Sequence, residues 1–292
     1  MPRASELIGR QVPVLDKGYV MLVDVMGSDE DIAAAARVSY GEGTKQLRDD
    51  ARLIDFLMRM RHTSPFEMAE LKFEIKLPIF CARQMIRHRT ASVNEISGRY
   101  SVLQDEYFVP TPEVVGSASS SNRQARELSG SAEPRDVEFC EAVNAAARAA
   151  FDVYGEVLGA GVPRELARTV LPLATYTKWV WKQDLHNLLH FLKLRTEPHA
   201  QHEMRAYAAV IEQFVAELFP LTYEAWRNHV KEALTFSADE QQFLRAALAE
   251  CGTAAALGQR LEKGTGLPAS IGKKRRVELA EKLQKLVGLQ PT

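Results

Sequence analysis

The segment ELKFEIKLP, residues 70–78, restricts the fold more than any other part of this chain. Leu71, Phe73, Ile75 and Leu77 alternate with charged residues. A period of two places all four on one face of a strand and leaves the other face wet. Such a strand needs neighbours on both edges and a layer of apolar side chains on one side. GYVMLVDVMGS, residues 18–28, is a short apolar run that reads as a buried strand, and LATYTKWVWK, residues 173–182, is strand-like. The remaining periodic segments are helical and do not alternate regularly with the strands. The expected class is therefore α+β: mixed helices with a small central, largely antiparallel sheet.

Ser28 reads as an N-cap, followed by Asp29, Glu30 and Asp31 in a first turn that suits the helix dipole. That helix is expected to end near residues 39–43. A second is expected over about 45–61, with Leu47, Ile54, Leu57 and Met58 as its apolar stripe. HTSPFEM, residues 62–68, reads as a turn because Pro65 disfavours helix at Ser64. Helix is expected again over residues 79–89, then a loop through Gly98, and a long polar loop over 111–134. Helices resume over 135–159, and VPRELARTVLP is a short helix closed by Pro172. In DLHNLLHFLKLR, residues 184–195, Leu185, Leu188, Leu189 and Leu192 form one stripe, and His186 and His190 share another face. A long amphipathic helix should follow, up to Pro220. The character changes after about Leu234, so residues 1–234 read as the main domain and 235–292 as a helical C-terminal appendage.

Charge narrows the possible partners. The formal net charge is −1, whereas a protein that grips a nucleic-acid backbone normally shows a basic excess. Positive charge is instead concentrated in CARQMIRHRTASVNEISGRYS, residues 81–101, which favours a small anion such as a phosphate. No apolar run approaches the roughly 20 residues that span a bilayer. MPRASELIGRQVPVLD lacks the apolar core of a secretory signal, so the expected location is the cytoplasm. Cys81, Cys140 and Cys251 are odd in number and far apart, which argues against a disulfide framework or a cysteine metal site.

Gly-rich dinucleotide and P-loop fingerprints and the G-x-S-x-G elbow are absent. A phosphate would have to be held by arginines and a loop of N–H groups. EISGRYS offers a hydroxyl, the N–H groups around a glycine and an arginine fork, although on spacing alone a solvated turn with an arginine is the favoured reading. Arg168 and Arg195 lie among apolar residues and need acceptors, either a ligand or an internal carboxylate such as Glu165, Asp184, Glu197 or Glu203. His186 and His190 have zinc-ligand spacing, but Asn187 stands where a metalloprotease helix has Glu, and no spacing completes a site. They are a metal pair, a pair of partly exposed polar side chains, or hydrogen-bond donors to a cofactor. A nucleic-acid-binding module, supported only by RHR and GKKRR, is the reading from another class.

RHRTASVNEIS fits R-H-R, seven residues, then Ser, and continues into GRY. ARVSY, HTSPFE, ARQMIRHR, ARTVLP, NLLHFLKLR and HAQHEMR follow the same order as in one family. Over about residues 20–226 the chain resembles the flavin-dependent thymidylate synthases. The resemblance implies conversion of dUMP to dTMP, with methylenetetrahydrofolate as one-carbon donor and FAD reduced by NADPH as hydride source. The chain has no Pro-Cys, which fits the flavin route rather than a cysteine nucleophile. By the same resemblance Gln84, Met85, Ile86, Arg87, Glu95, Ile96, Ser97, Gly98, Arg99 and Arg168 contact dUMP, with residues 97–99 at its phosphate. Arg195 is the catalytic residue, facing the uracil ring and stabilising its negative charge. Ser64, Arg87, His88, Arg89, Glu95, Asp184, His186 and His190 match flavin-contacting positions, and His62 and Tyr100 lie on the folate side. Asn122, Arg123 and Gln124 fall in a mobile segment near the pocket. No metal is implied, and the family is homotetrameric with active sites shared between subunits.

Overall fold

The computed structural model describes residues 2–39, 49–119, 126–127, 131–239 and 241–242. The chain divides into two compact units, Met1–Glu232 and Ala233–Thr292. Most of the second unit, with the expected C-terminal appendage and Cys251, lies outside the described residues, as do Asn122, Arg123 and Gln124.

In the first unit, α1 (Pro2–Leu7) leads into strands β1 (Gln11–Val14) and β2 (Gly18–Met26), then helices α2 (Asp29–Arg37) and α3 (Asp50–Arg59). A tight helical turn, Ser64–Met68, precedes β3 (Glu70–Pro78), α4 (Ile79–Met85) and β4 (Ser92–Glu95). The short strands β5 (Ser117–Ala118) and β6 (Arg126–Glu127) pair with each other. Helices α5 (Pro134–Gly159) and α6 (Arg164–Ala167) and a turn at Arg168–Val170 come next, then β7 (Tyr176–Asp184). Helices α7 (Leu185–Arg195), α8 (His202–Leu218) and α9 (Pro220–Trp226) complete the unit with a final turn, Arg227–Lys231.

The main sheet has five strands in the order β1-β2-β3-β7-β4, every pairing antiparallel. The α+β expectation holds, and the alternation in β3 does what its period demands. Leu71, Phe73, Ile75 and Leu77 are buried, facing Gln183, Trp181, Trp179 and Thr177 of β7 in register. Glu70, Lys72, Glu74 and Lys76 line the other face, where Lys182 donates to Glu70 at 2.7 Å and Tyr19 donates to Glu74 at 2.5 Å. Helices cover the apolar face: Leu188, Leu192, Ile211 and Phe214 of α7 and α8 join the same core.

Gly18 is required by a close approach. A Cβ there would meet the Tyr207 hydroxyl and stand 2.7 Å from Lys76 O and 2.8 Å from Val14 O. Tyr207 is fully buried, and its hydroxyl donates to Lys76 O at 2.9 Å, tying α8 to β3.

Several boundaries differ from the sequence reading. Helix α3 is described from Asp50, with the Asp49 side chain accepting from Arg52 N as its N-cap, and Leu47, expected in its stripe, lies outside the described residues. Helix α4 stops at Met85 rather than near Arg89, and the chain turns so that His88 packs on Phe191. Residues 92–95, expected as loop, form β4 on the free edge of β7. The amphipathic helix before Pro220 ends at Leu218, and α9 starts afresh at Pro220, with buried Asp29 accepting from Leu221 N, Thr222 N and Thr222 Oγ1.

Candidate active site

The sites suggested by the sequence collect at the β7–β4 edge and the ends of α4, α6 and α7. Serine 97 caps a tight turn: its Oγ accepts from Arg99 N at 3.3 Å, and its carbonyl accepts from Tyr100 N and Ser101 N. Gly98 is buried beneath Arg168, and a Cβ on it would lie 3.1 Å from Arg168 Cδ and 3.2 Å from Leu103 Cδ1. Glycine at this position lets the Arg168 stem lie on the turn. A second small core of Tyr107, Ala147, Phe151, Tyr154 and Ala167 fixes that contact, because Leu103 packs on it and donates its N–H to Tyr154 Oη at 3.2 Å. Ser97, Gly98, Arg99 and Arg168 are thus brought together.

The acceptors of these arginines separate structural cations from available ones. Arg99 pairs with Glu165 at 3.3 Å, but both side chains are more than half exposed, so the pair contributes little and exchanges readily. Arg168 has only a long bond, 3.4 Å, from Nε to Glu165 O. Arg87 and Arg89 are exposed and have no carboxylate partner among the described residues. Arg195 has none either: Glu197 takes Lys193 at 3.0 Å, Glu203 takes Arg126 at 2.6 Å, and Asp184 is engaged with Asn187. The internal ion pairs open to Arg168 and Arg195 in the sequence are not formed.

Arg195 lies at the last turn of α7, where its Nε donates to His88 Nε2 at 3.0 Å. Burial, then the Arg195 charge and His190, pull the His88 imidazole down to about 4, so it is neutral at ordinary pH. Burial also holds the Arg195 guanidinium below its usual range. His190 lies beside His88, with ring centroids 6.4 Å apart. Asp184 is first of all the N-cap of α7, accepting from Asn187 N at 2.9 Å and Asn187 Nδ2 at 2.7 Å. No group of three or more His, Cys, Asp or Glu suited to a metal occurs among the described residues.

Other expected residues are placed individually. Glu95, on β4, accepts from Thr177 Oγ1 at 2.6 Å. Gln84 donates its Nε2 to Gln201 Oε1, and Gln201 donates in turn to Glu203 Oε2 at 2.8 Å. Met85 is fully buried, which closes its side chain to a ligand, while Ile86 and Ile96 are exposed. Ser64 starts its helical turn exposed, and Tyr100 is 75% exposed. His62 follows α3 through a left-handed Arg61 (φ 58°), and its ring meets Phe56 edge-on at 5.8 Å. Sequence reasoning named Glu203 as a possible acceptor for Arg168 or Arg195 but passed over Gln201 and Arg126, which are its partners here. A glutamate within the apolar stripe of α8 was the available signal.

A family model described as thymidylate synthase complementing protein matches residues 21–221. The chain is 53% identical over 237 residues to the flavin-dependent thymidylate synthase of Thermus thermophilus, covering 81% of this chain and 86% of that protein. It is 48% identical over 242 residues to that of Treponema denticola, covering 82% and 90%. Among solved structures, a UMP/dUMP methylase from Streptomyces cacaoi bound with 5-Br dUMP superposes with a TM-score of 0.67 at 32% identity, covering 75% of this chain and 99% of that one. The R-H-R-x7-S segment, its arginines without internal carboxylates and the match over most of the chain lead to one assignment: this chain belongs to the flavin-dependent thymidylate synthases.

Proposed function

We propose that the enzyme methylates dUMP to dTMP, taking the one-carbon group from methylenetetrahydrofolate and using FAD reduced by NADPH. The observation that carries this reading is the set Arg87, Arg89, Arg168 and Arg195, four guanidinium groups without a carboxylate partner among the described residues. Each is permanently charged and left open to an anionic acceptor, and a nucleotide and a dinucleotide cofactor supply several.

The substrate phosphate binds at the turn of Ser97, Gly98 and Arg99, facing Arg168. Glu95, Gln84, Arg87 and the main chain of Met85, Ile86 and Ile96 hold the sugar and base. Arg195 stabilises negative charge on the uracil ring, which favours its activated form in a water-poor site. Ser97 acts as a phosphate ligand, since no general base lies within its hydrogen bonds.

The donor set suits a flavin nucleotide. The side chains of Ser64, Arg87, Arg89, His186 and His190 have no hydrogen-bonded or ion-paired partner among the described residues, and His88 keeps Nδ1–H as a donor. These residues, with Glu95 and Asp184, would hold the FAD, which when bound supplies the hydride for the reduction. His62 and Tyr100 flank the folate. The working enzyme is a homotetramer whose subunits complete each other's sites, with residues 1–234 as the catalytic domain and 235–292 as an extension. It works in the cytoplasm, in keeping with free, buried Cys81 and Cys140. No helix among the described residues is long and apolar enough to cross a membrane.

The test is turnover of dUMP, methylenetetrahydrofolate and NADPH, with and without added FAD. Arg195→Ala should lower dTMP formation at least about a hundredfold while flavin absorbance stays with the protein. Near-intact turnover in that variant would refute the role given to Arg195.

A further inference from the structure

We infer that His88 is the positioning residue for Arg195: its Nε2 holds the guanidinium by Nε and leaves both Nη groups for the substrate. This goes past a flavin contact for His88 and rests on the dUMP reading above. The contact is 3.0 Å, and arginine only donates, so Nε2 is the bare nitrogen and the proton sits on Nδ1.

The imidazole is itself held in place. Phe191 meets it edge-on with centroids 4.9 Å apart at 82°, and Phe191 is fully buried against Trp181 at 5.4 Å. A line of packed rings therefore runs from β7 through α7 to the acceptor nitrogen.

A neutral acceptor also serves the chemistry better than a carboxylate. Aspartate or glutamate in this place would orient the guanidinium but offset its positive charge. Arg195 needs that charge undiminished to stabilise an anionic ring. The low His88 pKa keeps the acceptor neutral throughout the neutral range. Arg195 is the one partly buried cation here whose described partner is an uncharged ring nitrogen.

The test is a double-mutant cycle on the FAD-loaded enzyme, reading dUMP binding by equilibrium dialysis and flavin content by absorbance. His88→Ala should weaken dUMP binding about tenfold, the loss expected for one hydrogen bond to a charged group. In an Arg195→Ala background the same change should cost nothing further, because its target is gone. His88→Gln keeps a neutral acceptor and should regain most of the affinity with flavin retained. If His88→Ala does not fold, His88→Leu, which refills the space against Phe191, takes its place in the cycle. Additive losses, or His88→Gln as damaging as His88→Ala at saturating FAD, overturn the inference. A wild-type enzyme that binds no dUMP and makes no dTMP sinks the functional reading instead, so the two failures are distinct.

Discussion

Glu203 is a fully buried charge in the first unit, and Arg126→Met is the perturbation that exposes its role. The glutamate side chain is 1% exposed and the arginine 28%, with Nη2 and Oε1 2.6 Å apart. Burial pushes the Glu203 carboxyl up, but Arg126, its own N–H and Gln201 outweigh that and hold it below the usual range. A carboxyl depressed in the folded state contributes stability above its unfolded pKa, and that contribution is lost as pH falls through the folded value. Removing Arg126 leaves burial dominant, so the folded pKa rises above the unfolded one and the sign inverts. The variant then carries its full deficit at high pH and loses it as protonation neutralises the buried group. Breaking one side of a buried pair costs roughly 3–5 kcal/mol, and the partial exposure of Arg126 places this case near about 3 kcal/mol. That corresponds to a fall of about 6–12 °C in Tm for a unit of this size. Urea unfolding at fixed protomer concentration, at about pH 8 and about pH 5, measures it. The deficit should shrink toward the acid side, and Glu203→Gln added to Arg126→Met should restore part of it. A deficit that is equal at both pH values, or below about 0.5 kcal/mol at the higher one, refutes the reasoning.

Two further substitutions test the packing that positions the site. Gly18→Ala should cost about 2–4 kcal/mol, since its Cβ overlaps the Tyr207 hydroxyl and two carbonyl oxygens. Added to it, Tyr207→Phe should give less than the additive loss by thermal melting. Arg61→Gly should stabilise the protein by about 1 kcal/mol, because Arg61 occupies the left-handed position after α3 (φ 58°), where His62 N donates to Leu57 O at 2.9 Å. A lowered Tm in that variant would point to a role for the arginine side chain that the backbone geometry does not explain.

The R-H-R-x7-S segment was legible because its chemistry is written in residue types, and β3 because one wet face imposes a period of two. Strand β4 was not legible. It lies at the sheet edge, and only Val93 of its four residues is partly buried while the others are exposed, so no hydrophobic alternation marks it. Its identity rests on backbone bonds to β7, which any sequence can make. The end of α4 was equally hidden, since residues 79–89 have ordinary helix formers and the packing of His88 on Phe191 beyond it is a long-range contact.

The sequence by itself determined the class of fold, the anionic character of the ligands and which side chains were candidates to hold them. Periodicity, glycine and charge are local properties that survive without a partner. Only the tertiary structure decided which arginines are committed. Glu165, Glu197 and Glu203 were all within reach of Arg168 or Arg195 along the chain, yet Arg99, Lys193 and Arg126 take them. Arg195 is left to a histidine 107 positions away. Ion pairing depends on three-dimensional distance and desolvation, and neither has a signature in residue order.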